Sequence, residues 1–73
     1  MAPYFFDVVT YSSVRYDYCG TVLNSAEQAF EWAEVLAIDI ECSDEVWNTS
    51  NVEVRDVSGN LLHSVDVRPP ELS

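Results

Sequence analysis

Residues 24–40 read NSAEQAFEWAEVLAIDI, the one segment of the chain with a sustained helical period. At about 100° per residue, Ala26, Ala29, Phe30, Ala33, Leu36, Ala37 and Ile40 fall on one continuous arc. Glu27, Glu31 and Glu34 lie on the opposite side. The arc is a core-facing stripe, and its alanines allow close approach to a sheet. Ser25 as N-cap with Gln28 three residues on fits a capping box, and Asn24 with Glu27 is an equally legal register. Glu27 and Glu31 suit the positive end of the helix dipole.

Three apolar residues break this pattern. Val35 and Ile38 project toward the acidic face, and Trp32 sits on the flank beside Val35. Single exposed apolar side chains are ordinary, but three within two turns form a patch. Either segment 41–51 folds back over them, or Trp32, Val35 and Ile38 form a contact with a second copy or another protein.

The flanking runs read as strands. Tyr4 to Thr10 (YFFDVVT) is rich in β-formers, with Tyr4, Phe6 and Val8 expected toward the helix. Phe5, Asp7 and Val9 are expected on the wetter face. Thr10 to Arg15 reads as a loop with Ser12-Ser13 at its tip, and Arg15 to Tyr18 as the start or brace of a strand. Gly20 suits a positive-φ turn position, Asp17 can accept N–H groups across that turn, and Val22-Leu23 is a short second strand. After the helix, Glu41 to Glu45 is polar but lacks Gly and Pro, so the stop is weakly marked. Trp47 is expected to pack on the helix flank as a lid. Val52 to Asp56 alternates cleanly, with Val52 and Val54 inward and Glu53 and Arg55 toward water. Asp56 to Asn60 is a hairpin turn with Gly59 at the αL position, and Leu61 to Val67 returns with Leu61, His63, Val65 and Val67 inward. His63 is expected to be a partly buried structural residue rather than a ligand or pH switch. Prolines keep the tail, Arg68 to Ser73, out of the sheet. The expected architecture is α+β: ββαββ in one domain spanning residues 1–73, a small antiparallel sheet with the helix across one face, and a flexible tail at 68–73.

One pattern occurs twice, 39 residues apart. Asp17-x-x-Gly20-x-Val22-Leu23 and Asp56-x-x-Gly59-x-Leu61-Leu62 share Asp-x-x-Gly-x-[Val/Leu]-Leu. Two copies do not make a solenoid. They read as two hairpins with similar turn chemistry around one helix, or as a chance likeness.

Charge narrows the function more than any motif does. Thirteen acids face three arginines and no lysine among 73 residues, for a net charge of -10. That opposes direct binding to nucleic-acid phosphates or anionic membranes. It favours solubility, a basic protein partner or mimicry of nucleic acid. So short a chain buries only about 60% of its unfolded surface, which makes self-association attractive. Cys19 and Cys42 have no metal-binding spacing, and the single His63 completes no zinc set with them. Nothing at the N-terminus reads as a signal peptide, so a cytoplasmic setting with reduced thiols is expected. Glu41, Asp44 and Glu45 do not match a calcium loop, and two glycines cannot build a phosphate loop. With one histidine and no activated Ser or Cys, neither an enzyme nor a cofactor is expected. The expected role is a small acidic interaction or regulatory module that self-associates, through Trp32, Val35 and Ile38. An acidic inhibitor of a basic partner is the alternative.

Taken together, Pro3-Tyr4-Phe5-Phe6-Asp7-Val8, Asp17-x-x-Gly20 and Val54-Arg55-Asp56-x-x-Gly59-x-x-Leu62 resemble a family of short uncharacterised alphaproteobacterial proteins, a domain of unknown function. In that family a Tyr-Phe-Phe-Asp/His-Val opening is followed by Asp-x-x-Gly, an Ala- and Glu-rich helix and a Val-x-x-Asp-x-x-Gly hairpin. The resemblance runs from Pro3 to about Val67 and implies the fold and a bacterial source, but no functional residues. The chain departs from the pattern at Thr10 to Tyr16, where the family has a Gly-containing turn, and its helix is less basic than is usual there. A looser likeness, at the level of fold, is to the strand–helix domain of HicB-type antitoxins.

Overall fold

A computed structural model describes residues 1–69. The elements are β1 (Ala2–Thr10), β2 (Val14–Arg15), β3 (Thr21–Leu23), α1 (Ala26–Glu41), a 3-10 turn (Asp44–Trp47), β4 (Thr49–Arg55) and β5 (Leu61–Asp66). They form a five-stranded antiparallel sheet, ordered β2-β1-β4-β5 with β3 also on β1, and α1 packs across one face. The fold is α+β in ββαββ-like order, as the sequence pattern implies. The tail expected at 68–73 lies largely outside the described residues. Arg68 and Pro69 do leave the sheet, and the Arg68 N–H donates to Glu41 at 3.0 Å. No described helix is long and apolar enough to cross a membrane.

Helix α1 starts where its capping chemistry places it. Ser25 is the N-cap, its Oγ accepting the Gln28 N–H at 3.3 Å. Gln28 reaches back to the Asn24 N–H at 2.9 Å, so the register led by Ser25 wins. The stop comes from a residue with no reputation as a breaker. Ser43 donates both its N–H (3.0 Å) and its hydroxyl (2.8 Å) to the Ile40 carbonyl.

The core lies between α1 and the central strands. Ala29, Ala33, Ala37 and Ile40 of the helix are buried against Val52, Val54, Val46 and Val67. Tyr4, Phe6 and Val8 pack onto this cluster, as their alternation implies. Small alanines facing β-branched valines let helix and sheet approach closely.

Strands β2 and β3 are two pieces of one interrupted partner of β1. Val8 and Val9 pair with Arg15 and Val14, and Ala2 to Tyr4 pair with Leu23 to Thr21. Between these ladders, residues 5–7 of β1 face residues 16–20, so the partner carries an insertion that bulges off the sheet. The segment expected to begin a strand at Arg15–Tyr18 is mostly this bulge.

Several expectations need correction. Asp7 is not on a wet surface: it is buried, 3% exposed, because the bulge covers it and Arg55 pairs with it. Arg55 and Glu53 accordingly lie half-buried rather than fully toward water. Leu61 is half exposed instead of inward. The β4–β5 register steps from Val54↔His63 to Arg55↔Leu61, so a bulge at Leu62 turns Leu61 to the face that carries Arg55. Trp47 does not act as a lid. Ser43 Oγ accepts the Glu45 N–H and sets a 3-10 turn, which sends Val46 inward (3% exposed) and Trp47 outward (54%).

Candidate functional site

Segment 41–51 does not cover the apolar residues of the helix. Trp32, Val35 and Ile38 are 55%, 54% and 56% exposed. The structure also divides the group. Trp32 and Val35 line a groove of about 200 Å³ between α1 and the β1/β3 side, with Phe6, Thr21, Leu36 and Asp39. On their other side they form a shallower hollow with Glu31. Ile38 lines neither. The helical wheel explains this: Val35 and Ile38 sit about 60° apart across the solvent pole, and Trp32 lies on Val35's side. The result is an apolar strip on one flank of the helix, with carboxylates of Glu31 and Asp39 at its rim.

A second concavity, about 460 Å³, opens on the sheet face away from α1. Its floor holds Phe5, Asp7 and Arg55, and its walls are the two Asp-x-x-Gly turns. The repeated pattern thus brings its two copies to opposite sides of one cleft, although the first copy is a strand bulge and not a hairpin. In both, the glycine has positive φ, +74° at Gly20 and +85° at Gly59. Asp17 Oδ1 accepts the N–H groups of Cys19 (3.1 Å) and Gly20 (3.0 Å), and its Oδ2 accepts that of Phe6 (3.2 Å). Burial opposes ionisation of Asp17, but the Gly20, Phe6 and Cys19 N–H groups outweigh it and hold the carboxyl below its usual range. Asp56 is likewise held low, first by the Asn60 N–H; desolvation opposes it, and the Asn60 side chain and the Ser58 and Gly59 N–H groups add to the lowering.

The polar groups of this cleft are already partnered. Asp7 accepts the Asp17 N–H at 2.9 Å and lies 3.4 Å from Arg55 Nε. Arg55 also reaches Glu53 at 3.1 Å and the Gly59 carbonyl at 3.0 Å. Among the described residues no buried side-chain N or O lacks a hydrogen-bond partner. This network fastens the bulge and the hairpin to the sheet, and its chemistry is consumed in doing so. Tyr16 and Tyr18 stand exposed above it, ring centroids 6.3 Å apart.

The remaining sequence candidates are dispersed. His63 is half-buried and stacked on Phe30, centroids 4.5 Å apart, as a packing residue. Cys19 and Cys42 are exposed and free. Glu41 and Glu45 turn to the Arg68 N–H and to Arg15. No group of three His, Cys, Asp or Glu converges as a metal site among the described residues.

No curated protein and no solved structure matches this chain. A family model does, over residues 4–68, from the first core residue of β1 to the end of the sheet, including both turns and the helix groove. The chain therefore belongs to the family described as a domain of unknown function, DUF6894.

Proposed function

We propose that this domain is a non-catalytic protein-interaction module that recognises its partner along the Trp32–Val35 flank of α1. The partner presents an apolar side chain flanked by arginine or lysine. The observation that carries this reading is the groove itself: two half-exposed apolar side chains with Phe6 and Leu36 as walls, Asp39 beside them and Glu31 in the adjoining hollow. Charge complementarity selects the partner. Thirteen acids stand against three arginines, and Arg15 and Arg55 are already paired with acids of the chain. A basic partner is steered in, whereas nucleic-acid phosphates and anionic lipids are repelled. Two half-exposed side chains offer on the order of 200 Å², against about 800 Å² per partner in a stable interface. The contact is transient, as in regulation. Two exposed free thiols support a reducing, cytoplasmic setting, and the Tyr-Phe-Phe-Asp-Val opening supports a bacterial one.

Self-association through the same helix is the second reading, favoured by the exposure of Ile38 one turn on. It brings two bodies of charge -10 together. With centres roughly 20 Å apart, the bare repulsion in water is about 20 kcal/mol, cut to a few kcal/mol by a Debye length of about 8 Å. Salt therefore separates the two readings by sign.

The test is an amide-shift titration of the labelled domain with a synthetic Leu/Arg amphipathic peptide and its Leu/Glu counterpart. Shifts at Thr21, Trp32, Val35 and Leu36 with the Leu/Arg peptide alone, weakening as salt rises, are expected. Equal response to both peptides, or shifts centred elsewhere, would sink the proposal. Concentration-dependent shifts without peptide that grow with salt and centre on Trp32, Val35 and Ile38 would instead identify self-association through the helix.

A further inference from the structure

The structure assigns a second recognition element, independent of the groove: strand β5 pairs antiparallel with β5 of a second copy about a two-fold axis at Val65. The starting observation is an asymmetry between the two edges of the sheet. One edge is blunted. Its strands β2 and β3 have two and three residues, and the Asp17 carboxylate takes the Phe6 N–H that faces out between them. The other edge is β5, six residues long and last in the strand order.

Its open hydrogen-bonding groups can be identified. The Val67 N–H donates to the Ser50 carbonyl, so Val65 and His63 point the same way by alternation. The main-chain groups of Ser64 and Asp66 then face away from β4. Neither N–H has an acceptor among the described residues outside the β4 ladder. Of the devices that natural edges use against pairing, Val65 and its neighbours carry a single charge, Asp66. There is no lysine and no proline, and the bulge at Leu62 lies beyond the pairing stretch.

Register follows from charge. An axis at Asp66 would set two carboxylates face to face, which is unfavourable. An axis at Ser64 would pair Asp66 with the bulged Leu62. An axis at Val65 pairs Ser64 with Asp66 of the second copy, twice, with each pair exchanging main-chain hydrogen bonds. It also brings the two Val65 side chains together on the helix-covered face, a favourable β-branched contact. Like charge opposes the pairing at long range, so the dimer strengthens with salt.

The experiment is sedimentation equilibrium with amide hydrogen exchange, on the full chain in high-salt buffer at low and high protein concentration. A reversible dimer is expected, with exchange at Ser64 and Asp66 slowed at least tenfold at high concentration. Ser64→Pro removes an N–H the monomer does not use, at an edge position where proline is tolerated, and yields a folded monomer. Val35→Ser, in the groove, leaves the dimer intact. A chain that stays monomeric at every concentration overturns the proposal. So does a dimer in which the Ser64 and Asp66 amides exchange as fast as in the dilute protein, a readout that needs no variant.

Discussion

The turns at Asp17–Gly20 and Asp56–Gly59 share residues, glycine geometry and a depressed aspartate, yet they carry different burdens. An added Cβ at Gly20 would lie 2.9 Å from the Phe5 ring, whereas at Gly59 it would meet nothing within 4 Å. Asp17 is wired to β1 through the Phe6 and Asp7 contacts, while the Asp56 carboxylate bonds only within its own turn. The first turn is a clamp across the sheet, and the second closes a hairpin, tied to the sheet only by the Arg55 bond to the Gly59 carbonyl. Local chemistry repeated in sequence therefore says what a turn looks like, but not what it holds.

The largest expected effect tests the clamp at its buried end. Asp7→Ala strips Arg55 of its most buried partner and the Asp17 N–H of its acceptor. Breaking a fully buried pair costs about 3–5 kcal/mol, and partial exposure of Arg55 lowers this to about 2–3 kcal/mol in urea unfolding. Next come the glycines. Gly20→Ala combines left-handed strain with the Phe5 clash and costs about 2–3 kcal/mol, against about 1 kcal/mol for Gly59→Ala. Equal losses would erase the distinction between the turns.

A smaller effect concerns pH. The Asp17 carboxyl is lowered from 3.8 in the folded protein, so its stabilisation is fully present above that value. It is lost as pH falls through the still lower folded value. Asp17→Asn should cost about 1 kcal/mol at neutral pH, after allowance for solvent screening. That deficit should shrink below about pH 4 as the wild-type carboxyl protonates. A deficit that stays constant as pH falls below about 4 would remove the charge from the argument.

How much of this was legible in the sequence depended on whether the signal was periodic or relational. The alanine stripe, the β1 face of Tyr4, Phe6 and Val8, and the glycine turns follow from local spacing, and they stand; of the two cap registers that spacing allows, the helix takes the one at Ser25. Asp7 misled because alternation marks its face but cannot show that a bulge ten residues on folds over it. Leu61 misled because a single extra residue at Leu62 reverses the period-two pattern. Trp47 misled because size suggests burial, while the 3-10 turn set by Ser43 decides direction. For the candidate site, the wheel set Val35 and Ile38 toward the acidic face and Trp32 on its flank. Whether segment 41–51 covers them depends on a long-range fold-back that no local period reports. Their division between a groove and a bare face was not readable either, because Phe6 and Thr21 reach that groove from other elements.

That division also supplies the most direct test of the functional account. Val35→Ser and Ile38→Ser are equivalent in helix propensity and exposure, and each should leave stability within about 0.5 kcal/mol. The measurement is the affinity of each variant for the Leu/Arg peptide by calorimetry. Recognition through the groove predicts at least a tenfold loss for Val35→Ser and less than a twofold change for Ile38→Ser, a gap of about 1 kcal/mol or more. Equal losses, or a larger one at Ile38, would contradict it and return recognition to the solvent face of the helix as a whole.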